Sequence, residues 1–306
     1  MTFKAWLLSI DMEPEVLEKY RKAGKIGGEI REAVRKMMKP GLPIMEIADF
    51  VEGTIRKRGA EPAFPVNISF NEAAAHYTPA HNDPRVVEEG DMIKVDIGVH
   101  VDGYIGDLAF TYCSEKSPLI EASQKALDAA IKIIRPGVTV GEIGTVVQET
   151  VESLGLGLVT NLTGHTLSRF VFHGSPNIPN VSNDSNYKFH EDSVIAIEPF
   201  VAESRTQVKD SGTTEIYKYA MDRPVRLNEA RAILKLARDD WKALPFAKRW
   251  LFSHISPIKV ALALRQLESV GAIETYPVLR NVTEGNIAQS EDTIIVQDKP
   301  IVTTRL

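Results

Sequence analysis

Asp96 and Asp107 lie in one stretch whose residue types and spacing suggest chemistry. Ile93 to Ala109 reads Ile-Lys-Val-Asp-Ile-Gly-Val-His-Val-Asp-Gly-Tyr-Ile-Gly-Asp-Leu-Ala. Two β-branched runs flank Asp102-Gly103, a strong signal for a tight two-residue hairpin turn. With the turn there, Val101 pairs with Tyr104, and Asp96 comes opposite Ala109. Side chains alternate along a strand, so Asp107 shares a face with Ala109. The two carboxylates then form a diagonal cross-strand pair, with Cα atoms about 7–8 Å apart. At that spacing they can share one or two cations; without a cation they repel, and one takes up a proton. A lone aspartate at a strand end is ordinarily a solvated surface group. Two on one face of a buried hairpin ask for a counter-charge.

Three more polar groups fall on or beside expected strands. His165 follows Gly164 at the start of a β-rich stretch from Thr166 to Phe172. Glu198 ends the expected strand Asp192 to Ile197, ahead of Pro199 and Phe200. Glu291 lies at the start of an expected strand from Gln289 to Val296. Asp96, Asp107, His165, Glu198 and Glu291 make four carboxylates and one imidazole. That set suits two divalent cations (manganese, iron, cobalt or zinc) and selects weakly among them. A two-metal site can polarise a carbonyl and deprotonate a bridging water near neutral pH, which makes amide hydrolysis the natural reaction. His81, His100, His190 and His254 lack such company and read as surface or packing residues.

The elements that position these groups follow from periodicity. Val16, Tyr20, Ala23, Ile30, Val34 and Met37 recur at helical spacing, giving a long helix from Glu15 to Lys39 that Pro40-Gly41 stops. A second helix puts Ile47, Phe50, Val51 and Ile55 on one face and ends at Gly59. Ser117-Pro118 opens a third helix, and Thr139 to Glu142 is a capping box opening a fourth. Sliding the sequence by 96 positions aligns Pro40 with Pro136, Gly41 with Gly137, Glu46 with Glu142, Ile47 with Ile143, Val51 with Val147 and Gly59 with Gly155. His76 then meets His173 at a shift of 97, and Asp96 meets Glu198 at 102. This is an internal duplication of a helix–helix–strand–strand unit. Two such units would pack about a pseudo-twofold axis, with Asp96 facing Glu198 across it.

The chain has 306 residues, of which 43% are hydrophobic and 25% charged, enough for one large core or two smaller ones. Its net charge of −5 gives no global pull toward DNA or an anionic membrane. The single cysteine, Cys113, excludes an intrachain disulfide and points to a reducing, cytoplasmic setting. Trp6-Leu7-Leu8 is too short, and too soon followed by Asp11 and Glu13, for a signal or membrane segment. Residues 206–281 read as helix-rich and carry 13 Lys/Arg against 8 Asp/Glu, a local excess of +5 that leaves −10 on the rest. They are expected to form an inserted, winged-helix-like subdomain. Residues 1–205 and 282–306 then form the main α+β domain.

The five groups stand in the contexts Lys-Val-Asp-Ile-Gly, Gly-Asp-Leu-Ala, Gly-His, Ile-Glu-Pro-Phe and Ala-Gln-Ser-Glu. In that order they resemble the methionine aminopeptidases, over nearly the whole chain. The string Asn71-Glu72-Ala73-Ala74-Ala75-His76-Tyr77-Thr78-Pro79 and the insertion before Glu291 look like the type II branch in its short archaeal form. The resemblance implies the pita-bread fold and removal of the N-terminal methionine of nascent chains when the second residue is small. It implies a monomeric cytoplasmic enzyme holding two divalent ions. Asp96 would be bidentate to one metal, Asp107 and Glu291 would bridge the pair, and His165 and Glu198 would complete the coordination of the other metal. Glu198 would also be the general base. His76 would contact the scissile amide or leaving nitrogen, and His173 the carbonyl oxygen. Phe64, Phe200 and Tyr276 match positions lining the methionine pocket. Ser290 and Asp292 replace a usual Phe and His, and Asp292 is expected to add negative charge beside the metals.

Two rival readings stand beside this one. A proline-specific peptidase of the same fold usually carries a substantial N-terminal domain, for which the start of the first unit near Glu15 leaves no room. A non-catalytic relative that contacts RNA or the ribosome through the basic insertion would be expected to have lost metal ligands, and all five are present.

Overall fold

The computed structural model describes residues 12–306; the Trp6-Leu7-Leu8 run lies outside the described residues. The first helix, α1 (Pro14–Met37), begins with proline in its first turn, where a missing N–H costs nothing. It buries Tyr20, Ala23, Ile30 and Val34. In α2 (Ile44–Lys57) the buried stripe is Ile47, Val51 and Ile55. Phe50, expected on that stripe, is 36% exposed; it precedes Val51 by one residue and so sits about 100° round the helix.

The hairpin Ile93–Val101/Tyr104–Tyr112 has the register counted from the turn: Val101 opposes Tyr104 and Asp96 opposes Ala109. Asp102 and Gly103 both have positive φ, +52° and +86°, the backbone of a type I′ turn. α1 lies across this hairpin at a glycine crossing. A Cβ on Gly106 would stand 2.7 Å from the backbone nitrogen of Gly24. Neither backbone can yield without moving helix or strand. Gly106→Ala is therefore expected to destabilise the fold by about 2–3 kcal/mol, read as a lowered denaturant midpoint.

The second unit repeats the first. α3 (Pro118–Ile133) and α4 (Val140–Ser153) follow the hairpin, and α4 opens with the expected capping box between Thr139 and Glu142. Gly41 N–H donates to Val87 O and Val87 N–H to Leu42 O; Gly137 N–H donates to Phe189 O and Phe189 N–H to Val138 O. The donors and acceptors in these pairs differ by 96 on the helix side and 102 on the strand side. The extra residues thus enter between α4 and Phe189. Each unit has its own apolar core. One joins α1, α2 and the hairpin, the other α3, α4 and the sheet built on Val194–Ile197.

The two units meet where two strands break. Val194–Ile197 and Phe200–Ala202 are separated by Glu198-Pro199, since proline has no N–H for the ladder. The single strand expected from Gln289 to Val296 is likewise two pieces, Ile287–Gln289 and Asp292–Ile295. They pair with the two pieces of the broken strand in turn. Glu291 sits in the gap and bridges Ala109 of the hairpin.

Residues 206–281 contribute two long strands, Val208–Tyr219 and Ile273–Asn281, with α5 (Asn228–Lys235) and α6 (Pro257–Ser269) between them. Ile233, Leu234, Val260, Leu264 and Leu267 bury against Phe246 and Leu251. Trp241 is only partly buried at the edge of that cluster. Ile273–Asn281 also pairs with Ala73–Ala75, which brings Tyr276 beside His76. Among the described residues, no helix is long and apolar enough to cross a membrane.

Candidate metal centre and active site

All ten residues singled out in the sequence line one cavity of about 370 Å³: Phe64, His76, Asp96, Asp107, His165, His173, Glu198, Phe200, Tyr276 and Glu291. Asp107 comes from the hairpin and its main chain is held by one hydroxyl. Thr293 Oγ1 accepts from Asp107 N–H at 2.7 Å and donates to Asp107 O at 2.8 Å. His165, on strand Thr163–Ser168, places Nε2 3.7 Å from Asp107 Oδ2 and 3.6 Å from Glu198 Oε1. Its Nδ1 lies 3.4 Å from Thr166 O. A proton on Nδ1 donates there and leaves the Nε2 lone pair facing the carboxylates.

Ligand atoms of Asp107, His165 and Glu291 lie within 4.8 Å of one another. Asp96 Oδ1 and Asp107 Oδ1 are buried with no hydrogen-bond partner among the described residues. Burial pushes the Asp96 carboxyl up to about 7. Burial first, and the neighbouring carboxylates second, hold Asp107, Glu198 and Glu291 well above the usual range. Burial lowers the His165 imidazole to about 4, so it is neutral at pH 7. Orphaned carboxylate oxygens beside a neutral imidazole are what a divalent cation satisfies. The donor set fits such an ion, and the five side chains would hold it.

His76 has a left-handed backbone, φ +65°. Its Nδ1 lies 3.2 Å from Pro277 O, and its ring meets the edge of Tyr276 at 5.3 Å. Burial lowers its imidazole to about 4. His173 lies 4.6 Å from the His165 ring, centroid to centroid.

Two residues were missed in the sequence. Phe172 stacks on His173 at 3.8 Å and packs against Phe64 at 4.5 Å with the rings tilted by 40°, joining the aromatic wall to the histidines. Nothing but its place beside His173 could have marked it. Gln289 donates from Nε2 to Glu198 Oε2 at 3.2 Å, so an amide orients one carboxylate of the cluster.

Asp292 turns away from the cluster, and its charge reaches it only as the smallest of the causes that raise the Glu291 carboxyl. Its carboxylate pairs with Arg31 Nη1 at 2.9 Å and Arg305 Nε at 2.6 Å, and accepts from Thr304 Oγ1 at 2.7 Å. Successive strand residues face opposite ways, so Glu291 turns to the cavity and Asp292 to α1. Ser290 Oγ is likewise spent on Ser123 Oγ, at 2.8 Å. Asp292→Ala would leave the largely buried Arg31 with only the half-exposed Glu32 carboxylate at 3.7 Å and the Thr304 carbonyl at 3.0 Å as partners among the described residues. The expected cost is about 3 kcal/mol of stability, measured by chemical denaturation, with divalent-ion affinity unchanged.

Residues 18–298 match metallopeptidase family M24. The chain is 44% identical over 292 residues to a methionine aminopeptidase of Pyrococcus abyssi, covering 94% of this chain and 99% of that one. It is 44% identical over 279 residues to a methionine aminopeptidase of Thermococcus onnurineus, covering 90% and 95%. In structure it resembles the methionine aminopeptidase of Thermotoga maritima, with a TM-score of 0.70 at 24% identity, covering 96% of this chain and 98% of that one. The chain thus has the pita-bread fold of these neighbours. By its matched length and its identity to these relatives, the chain belongs to metallopeptidase family M24 and, within it, to the methionine aminopeptidases.

Proposed function

We propose that this chain removes the N-terminal methionine from polypeptides whose second residue is small, as a short member of the type II branch using two divalent ions. The observation that carries the reading is one cavity lined both by four carboxylates and an imidazole and by the aromatic rings of Phe64, Phe172, Phe200 and Tyr276. Asp96, Asp107, His165, Glu198 and Glu291 would hold the ions. Bound there, divalent ions supply carbonyl polarisation and a water acidified to near neutrality.

The chain's own residues do the rest. Glu198 takes the proton from the attacking water and passes it to the leaving amide nitrogen. His76 hydrogen-bonds the amide at the leaving nitrogen. His173 donates to the carbonyl oxygen as negative charge develops on it. Phe64, Phe200 and Tyr276 enclose the thioether, for which a polarisable aromatic wall is suited. Residues 206–281 act as an inserted subdomain and supply one wall of the cleft through Tyr276.

The test is methionine release from Met-Ala and Met-Leu peptides by metal-stripped protein, with manganese, iron, cobalt and zinc returned in turn. Met-Ala is expected to be cleaved once metal is restored, and Met-Leu much more slowly. Cleavage of neither peptide with any metal would overturn the reading.

A further inference from the structure

We infer that Glu52, a buried carboxylate on α2 outside the cavity, is a positioning residue for His76, acting through Arg249 and Thr78. Glu52 is 5% exposed. It accepts from the Arg249 guanidinium, from Trp250 Nε1 at 2.8 Å and from Val66 N–H at 3.3 Å. Arg249 Nη1 donates onward to Thr78 Oγ1 at 2.6 Å and to Pro79 O at 3.1 Å. Thr78 Oγ1 in turn donates to Val66 O at 2.8 Å. One carboxylate therefore ties together three segments. The first is the extended chain after Phe64, the second the chain just beyond His76, and the third the segment after Pro245, another residue lining the cavity.

The backbone of His76 makes this tie consequential. A non-glycine residue at φ +65° holds that conformation only when its neighbours fix the chain on both sides. On one side Ala75 is paired with Leu279. On the other, Ile68 N–H donates to Tyr77 O at 2.6 Å, and the next residue is Thr78, held by Arg249. Without that hold the imidazole could keep its contact with Pro277 O yet shift relative to the carboxylates. The duplication shows that the carboxylate is not required by helix packing alone. The position equivalent to Glu52 in α4, 96 residues on, is Gln148. There the side chain accepts from Ser182 N–H at 2.8 Å and donates to Glu152, with no guanidinium partner among the described residues. The charged residue occurs in the unit that meets a guanidinium from residues 206–281.

This inference rests on the role proposed for His76, and the experiment separates the two. Metal-loaded wild type, Glu52→Gln, Thr78→Val, His76→Ala and the double variant Glu52→Gln/His76→Ala are compared on a Met-Ala peptide well below their melting temperatures. Divalent-ion binding is followed by calorimetry. A displacement of His76 by a fraction of an ångström to an ångström is expected to lower kcat about 10- to 100-fold in Glu52→Gln, with KM and ion affinity little changed. Thr78→Val is expected to lose kcat in the same direction, and it decides the matter if Glu52→Gln does not fold. In the His76→Ala background, Glu52→Gln is expected to have no further effect on kcat. Wild-type kcat in both Glu52→Gln and Thr78→Val, with His76→Ala impaired, removes Glu52 and leaves the functional reading intact. A Glu52→Gln loss that repeats in full in the His76→Ala background also overturns the inference, since a structural loss would add. Wild-type turnover by His76→Ala fails the functional reading itself.

Discussion

Stripping divalent ions from this protein is expected to abolish turnover and to destabilise it more at pH 8 than at pH 5.5. The reason is the carboxylate cluster. Asp96 has its proton affinity raised to about 7, and Asp107, Glu198 and Glu291 are raised as well. In the unfolded chain these groups titrate near pH 4. At the lowest pH both states hold the protons, and the cluster costs nothing. As pH rises past about 4 the unfolded chain releases protons that the folded, metal-free cluster keeps, so stability falls with pH. The Asp96 contribution is fully lost once pH has passed about 7. Between pH 5 and 8 the metal-free protein is expected to lose about 3 kcal/mol in denaturant unfolding. A cation reverses the slope, because it needs the deprotonated ligands and binds more tightly as they ionise. The increment in stability on adding manganese or cobalt should therefore grow with pH. A metal-free protein whose stability rises from pH 5 to 8, or a metal increment independent of pH, would show that these carboxylates do not form one site.

The geometry behind that result was partly legible in the residues. Local rules were enough for the hairpin. A two-residue turn and a strict alternation of faces fixed Asp96 opposite Ala109 and Asp107 beside it, as found. The duplication was legible because helix stops recur with the same residues, and its hydrogen bonds repeat at the same offsets. Glu291 is different. Its place at the start of a strand made it a candidate, but its approach to the hairpin depends on a bridge to Ala109 across 182 positions of sequence, which no local rule predicts. The break at Ser290-Glu291 was hidden for the same reason, since it mirrors the break that Pro199 imposes on a distant partner. Asp292 adds a small charge effect on Glu291, as expected, but its side chain is turned away from the cavity. The alternation that placed Asp107 also turns Asp292 away from Glu291, toward Arg31 and Arg305. Gln289 and Phe172 carry no spacing signal, because an amide and an aromatic ring on a strand are ordinary core residues until a partner gives them work.

His76→Ala is expected to keep divalent-ion binding and lose most turnover, by about 10²–10⁴-fold in kcat on a Met-Ala peptide. His76 is not among the carboxylates and His165 that approach one another, so its removal takes nothing from the donor set. Its imidazole is hydrogen-bonded to Pro277 O, 3.2 Å from Nδ1. With a proton held on Nδ1 by that carbonyl, Nε2 is the ring nitrogen left for substrate. Burial keeps the ring neutral down to about pH 4. Its hydrogen bonding is thus unchanged across the range in which the enzyme works, and the wild-type pH profile should not show a limb from this imidazole. His76→Asn tests the same point with an amide in place of the ring, and partial recovery over His76→Ala is expected because one polar atom is returned to the cleft. Turnover is measured at saturating metal, with calorimetric titration run in parallel. Loss of ion binding in His76→Ala would make the residue a ligand, contrary to this assignment. Wild-type kcat with normal ion binding would leave it a wall of the cavity and move the contact with the leaving nitrogen to another group.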